Sequence, residues 1–292
     1  MGGFFTITFD PVIGVENLRA SLLEILLRWW NTHKDQWSNI DAVTQCMMQM
    51  VLFKIRSLQE AMKGVPLVPN GQKQNIYLDL SDIASITRGI YETAFIFHNI
   101  FISTKNKNER DILINIWKIE GLNNLNKVPV PNTMADKVLS NNEEIESIRN
   151  ETREILGRMN ILKTAADKIE KVIKKNSSNI KGYTFVRIDD KITDFKSVDL
   201  SESQSFFNSE CMEGVYPFLS YHSHPSYLSL LQFGQLTGKE NLNDLGQSFL
   251  YVACICASKF VNDACDIITD GNSIKAEVVP DFRATINFLS GM

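Results

Sequence analysis

Apolar residues return every three or four positions from Glu16 to His33, at Leu18, Leu22, Ile25 and Trp29, which places them on one face of an α-helix. A second helix follows Trp37, capped by Ser38 or Asn39 and running through Met62 to Gly64 and the loop of Pro66 and Pro69. These two pair as a helical hairpin. Between about Asp79 and Ser103, Ile83, Ile86, Ile90, Ala94, Phe97 and Phe101 form one stripe, and Tyr91, Phe95, His98 and Ile102 form another. A helix apolar on two sides belongs in the middle of its bundle. A fourth helix begins near Asn108 and runs through Leu122. Pro129 and Pro131 then make a connector, because each proline removes a donor and turns its predecessor away from the helical region.

Ser140 and Glu143 match a capping box, and Ile145, Ile148, Thr152, Ile155, Met159, Leu162, Ala166, Ile169 and Ile173 follow at alternating threes and fours. The spacing predicts one long amphipathic helix over about 140–176. Its seam over 145–173 is one that a second chain, as in a homodimer, or the rest of its own bundle can cover. Helical period is lost from Tyr183 to Val198, where Phe185-Val186-Arg187-Ile188 before Asp189-Asp190 leaves a small β-hairpin or an irregular excursion. Helix resumes before Pro217, after Pro225, and from Leu245 to Ile268, with Gly271 as its terminator. Near the start, Phe5, Ile7 and Phe9 alternate with threonines as in a short strand that Pro11 ends. The fold class expected is therefore mainly α, a multi-helix bundle forming one domain over 1–292, with any sub-boundary near 127–140.

Composition narrows this picture. Hydrophobic residues make up 44% and charged residues 22%, the balance of a chain that folds around its own core. Thirty Lys and Arg against 34 Asp and Glu give a net charge of -4, so no overall positive field recruits nucleic acid. Phe249 to Ala257, the most apolar late segment, is about half of the ~20 residues that a membrane span needs. Five cysteines in apolar helical sequence suit reduced thiols, and the N-terminal MGGFFTITFD has no basic residue ahead of its apolar stretch. Both point to the cytoplasm and away from a membrane.

Three strings carry candidate chemistry. Tyr221-His222-Ser223-His224-Pro225 places two imidazoles one residue apart, a spacing that can hold a metal on extended backbone. It resembles the YHSHP stretch of JAMM-type zinc isopeptidases, which implies a zinc-dependent hydrolase using His222 and His224. That family's following serine and aspartate correspond here to Gln232 and Gln235, and a neutral amide is a poor zinc ligand. The structural alternative has Pro225 in the first turn of a helix, capped by Ser223 or His224, with Tyr221 packed beneath. Arg88 and Glu92 form an i,i+4 pair of opposite charge among Ile86, Ile90, Tyr91 and Phe95, where burial demands full hydrogen bonding. Arg28 and His33 fit the R-x(4–6)-H pattern and so resemble HEPN-type ribonucleases, implying metal-independent RNA cleavage in a toxin or phage-defence setting. An amphipathic helix end is the alternative there.

IASITRGIYETAFIFHNIF, KNERDILINIWKI and FLSYHSHPSYLSL together resemble an uncharacterised bacterial family of all-helical proteins with an early Arg-x-x-x-Glu helix and a late Leu-Ser-x-x-x-His-Pro segment. The matching residues are Arg88, Glu92, Leu219, Ser220, His224 and Pro225. The resemblance implies no activity, but it proposes that Arg88, Glu92 and His224 converge on one polar pocket with Ser220, Tyr221 and His222 around it. The preferred expectation is a ligand-binding or interaction module, its ligand a small molecule or a protein, with no cofactor and no metal.

Overall fold

The structure is a computed structural model, and it describes residues 10–33, 37–67, 75–128, 135–175, 182–202, 204–207, 212–224, 226–227, 229–231 and 241–278. The expected strand at Phe5–Phe9, the connector at Pro129 and Pro131, and the positions of Pro225, Gln232 and Gln235 lie outside these residues. The architecture is mainly α with two two-stranded antiparallel sheets among the described residues. None of their helices is long and apolar enough to cross a membrane. The chain divides into two compact units, one formed by residues up to Phe95 and from Ser201 onward, the other by Ile96–Leu200.

In the first unit, α1 (Pro11–His33) starts five residues earlier than its apolar period suggests. Proline suits the first helical turn, where its missing N–H has no partner to lose, and Asp10 Oδ1 accepts from Val12 N at 2.8 Å. α2 (Asn39–Ala61) begins at Ser38, whose capping box with Asp41 closes both ways, and the chain leaves it through Gly64 at φ 69°. β1 (Val65–Leu67) pairs with β2 (Asn75–Tyr77), a small ladder that the proline-bearing loop concealed. α3 (Leu80–Phe97) is capped by Asp79, which accepts from Ser81 N at 2.9 Å.

After α7 (Gln204–Phe207), α8 (Val215–Ser223) opens behind Gly214 at φ 69°, with Pro217 in its first turn. α9 (Asn241–Ile267) packs on both α1 and α2, and α10 (Gly271–Glu277) packs on α1 and α9. Gly271 therefore opens a new helix, whereas its sequence context suggested a terminator. The core between these helices holds Leu22, Trp29, Met48, Leu58, Phe249 and Phe260. Burial pushes the Cys254 thiol up and the Cys265 thiol up to about 12, so both are packing groups.

In the second unit, α3 runs into one π-helical turn, His98–Ile102, where the bond from Ser103 N returns to His98 O. α4 (Lys107–Leu125) is capped by Asn106. The long helix expected over 140–176 is two helices, α5 (Ala135–Gly157) and α6 (Lys163–Lys174). Between them Leu162 N donates to Ile192 O at 2.8 Å and Ile192 N to Asn160 O at 3.1 Å. This exchange with the hairpin replaces helical bonds and turns the chain. The seam is then used within the unit: Ile145, Ile148, Thr152 and Ile155 on α5 and Ile169 and Ile173 on α6 are all buried. β3 (Gly182–Ile188) and β4 (Lys191–Val198) form the hairpin, joined through Asp189 and Asp190 at φ 47° and 62°. Two positive φ values define a turn whose twist matches that of the strands.

Candidate functional site

α3 and α8 each present a polar stripe of helical period. Arg88 and Glu92 are one turn apart on α3, while Tyr216 and Ser220 on α8 and His224 at its end are spaced by four. Arg88 Nε donates to Glu92 Oε1 at 2.8 Å, and Arg88 Nη2 donates to the Tyr216 hydroxyl at 3.1 Å. The same hydroxyl donates to Glu92 Oε1 at 3.0 Å, closing a ring of three. Arg88 Nη1 lies 3.1 Å from His224 Nε2. A guanidinium can only donate, so in this contact the imidazole nitrogen is the accepting side.

The cluster is partly screened from water, with the Arg88 and Glu92 side chains 25% and 22% exposed. Burial lowers the Arg88 pKa, but Glu92 and Tyr216 more than offset this and raise it overall. Burial and then the Glu92 carboxylate raise the Tyr216 pKa, so the phenol keeps the proton it donates. Tyr216 is itself held in an aromatic wall, 5.4 Å from Tyr91, which lies 4.7 Å from Phe207. The guanidinium carbon stands 5.3 Å from the centre of the Tyr216 ring.

Of the residues singled out from sequence, Arg88, Glu92 and His224 come together here. Ser220 lies between Tyr216 and His224, half-buried, with no hydrogen bond from its hydroxyl among the described residues. Tyr221 points away, 55% exposed, rather than packing beneath a following helix. His222 faces the other side of α8, with ring centres 4.6 Å from Phe218 and 5.6 Å from Phe249. Its Nε2 is buried without a partner among the described residues, and burial lowers its pKa. Ser223 and His224 end α8, where sequence had them capping the next helix; Ser226 N and Ser229 Oγ bind the His224 carbonyl at 2.7 and 2.9 Å.

The two imidazoles of the YHSHP string thus occupy different surroundings. Among the described residues no three His, Cys, Asp or Glu side chains are grouped to hold a metal ion. Arg28 bridges Glu24 at 2.7 Å and Glu277 at 2.9 Å, and His33 Nε2 lies 3.2 Å from Asp270 Oδ2. Tyr216 is the member of the cluster that sequence reasoning missed. Its signal was the spacing of Tyr216, Ser220 and His224, visible only once the helix that begins before Pro217 is carried through it to Ser223.

Such a site, charged and half-buried between two helices, marks a helical protein that organises a polar cluster beside an aromatic wall. Residues 77–241, which contain Arg88, Glu92, Tyr216 and His224, match the model of DUF5677, a family of unknown function, and the chain belongs to that family. No curated protein and no solved structure matches the chain.

Proposed function

We propose that the chain is a ligand-binding module whose site is the Arg88–Glu92–Tyr216–His224 cluster, recognising a small molecule through a carboxylate or phosphate group. The reading is carried by the contact from Arg88 Nη1 to His224 Nε2, since His224 is the exposed member of the cluster. Glu92 on Nε and Tyr216 on Nη2 fix the plane of the guanidinium. The remaining Nη1 donor faces an acceptor that an incoming oxygen can displace, at little cost in rearrangement. Both the nuclease and the zinc-hydrolase readings have less support, because Arg28 and His33 are engaged by carboxylates and His222 is packed between phenyl rings.

Thermal unfolding with succinate at constant ionic strength tests this. Succinate should raise the melting temperature saturably, and Arg88→Gln should abolish the rise relative to its own baseline. His224→Ala should retain or increase it, because the competing acceptor is gone. A rise that survives Arg88→Gln, or none in the wild-type chain, sinks the proposal.

A further inference from the structure

Within the Ile96–Leu200 unit, a cleft of about 340 Å³ opens between the start of α4, the α5–α6 turn and the β3–β4 hairpin. Its inner wall is an ion pair between Arg187 of β3 and Glu109 of α4, the latter 1% exposed. Glu109 is fully engaged, since it also accepts from Lys105 N at 2.9 Å and Asn106 Nδ2 at 2.7 Å. That pair is internally neutral and leaves the chemistry of the cleft to the residues around it.

Lys105 and Arg158 line the same cleft, and neither cationic side chain has an ion-pair or hydrogen-bond partner among the described residues. The side-chain amides of Asn108 and Asn160 are similarly unengaged. Asp190, from the hairpin turn, is the remaining acid in the lining. Two free cations against one free carboxylate leave the cleft positive, in a chain whose net charge is -4. A concave site of this size, with unpaired charged and amide donors in its lining, has the volume and the hydrogen-bonding groups to take up a small polar molecule.

We infer that this cleft binds a small phosphorylated molecule bearing hydroxyl groups, its phosphate held by Lys105 and Arg158 and a hydroxyl by Asp190. Lys105 supplies a point charge and Arg158 a planar fork, the two donor geometries that phosphate oxygens accept. The asparagine amides supply uncharged donors to either group. Asp190 repels a bare anion but accepts a hydroxyl hydrogen, so it selects a polyol phosphate over inorganic phosphate. The inference is independent of the Arg88 cluster, which belongs to the other unit.

The test is thermal unfolding of the full chain at constant ionic strength with glycerol 3-phosphate, inorganic phosphate or glycerol. Glycerol 3-phosphate should give a saturable rise, inorganic phosphate a smaller one and glycerol none. Lys105→Gln/Arg158→Gln should weaken the dissociation constant at least about tenfold. Its melting temperature without additive should match wild type, because both side chains are unpaired. Arg88→Gln should keep the response. The inference is overturned if neither phosphate compound gives a saturable rise, if the double variant responds as wild type does, or if Arg88→Gln removes the response.

Discussion

His222 and His224 are two residues apart and do opposite things. His224 offers a lone pair to a guanidinium at the surface, whereas His222 is 3% exposed and its charged form is disfavoured by burial. The unfolded chain takes up a proton at His222 as pH falls through the ordinary value of 6.5, and the folded chain resists it. More protons on the unfolded side mean that stability from this residue is complete above 6.5 and is lost progressively below it. His222→Leu should therefore flatten the fall of melting temperature on acidification, which a pH series of thermal melts reads directly; an unchanged slope would contradict the buried imidazole. Gly271 is another single-atom matter. A Cβ there would overlap the Cys265 carbonyl oxygen and lie 2.5 Å from Ile268 Cγ1. Backbone cannot yield as a flexible side chain does, so Gly271→Ala should cost about 1–3 kcal/mol in denaturant unfolding.

Among the elements, the β3–β4 hairpin turns through two residues that are not glycine. Asp189 and Asp190 both occupy left-handed backbone, which aspartate adopts more readily than most residues with a Cβ but less readily than glycine. Asp189→Asn with Asp190→Gly keeps the turn with residues that adopt it readily, and should raise stability by about 1 kcal/mol in urea unfolding without phosphate. An unchanged or lower midpoint would mean that the aspartates are tolerated for free. Helices α1 to α4 were legible because their apolar residues hold one period and their ends carry Ser38, Asp79 and Asn106 as caps. The break between α5 and α6 was not, since Ile155, Met159, Leu162 and Ala166 stay in phase straight through the turn. What stops the helix is pairing with Ile192, a partner about thirty residues later that no local window contains. Ser140 misled for a related reason: a capping box can occur by composition inside a helix, and α5 already starts at Ala135. Arg88 and Glu92 were legible because opposite charges one turn apart are conspicuous among isoleucines and aromatics. Tyr216 was hidden by Pro217, which suggests an ending but is accommodated in a first turn.

At the scale of the whole molecule, the chain leaves the first unit after Phe95, completes the second by Leu200, and returns to finish the first. The helix that covers α1 and α2 is α9, which starts only at Asn241. During synthesis from the N-terminus, Leu22, Trp29, Met48 and Leu58 are therefore made long before Phe249 and Phe260 exist to bury them. The later-starting unit has all its segments in one continuous stretch and can close first. At about 5–20 residues per second, the earlier helices wait on the order of ten seconds with their apolar faces uncovered. A nascent chain of this design depends on the ribosome's surroundings, and on whatever shields an unfinished helical hairpin, more than its finished form reveals.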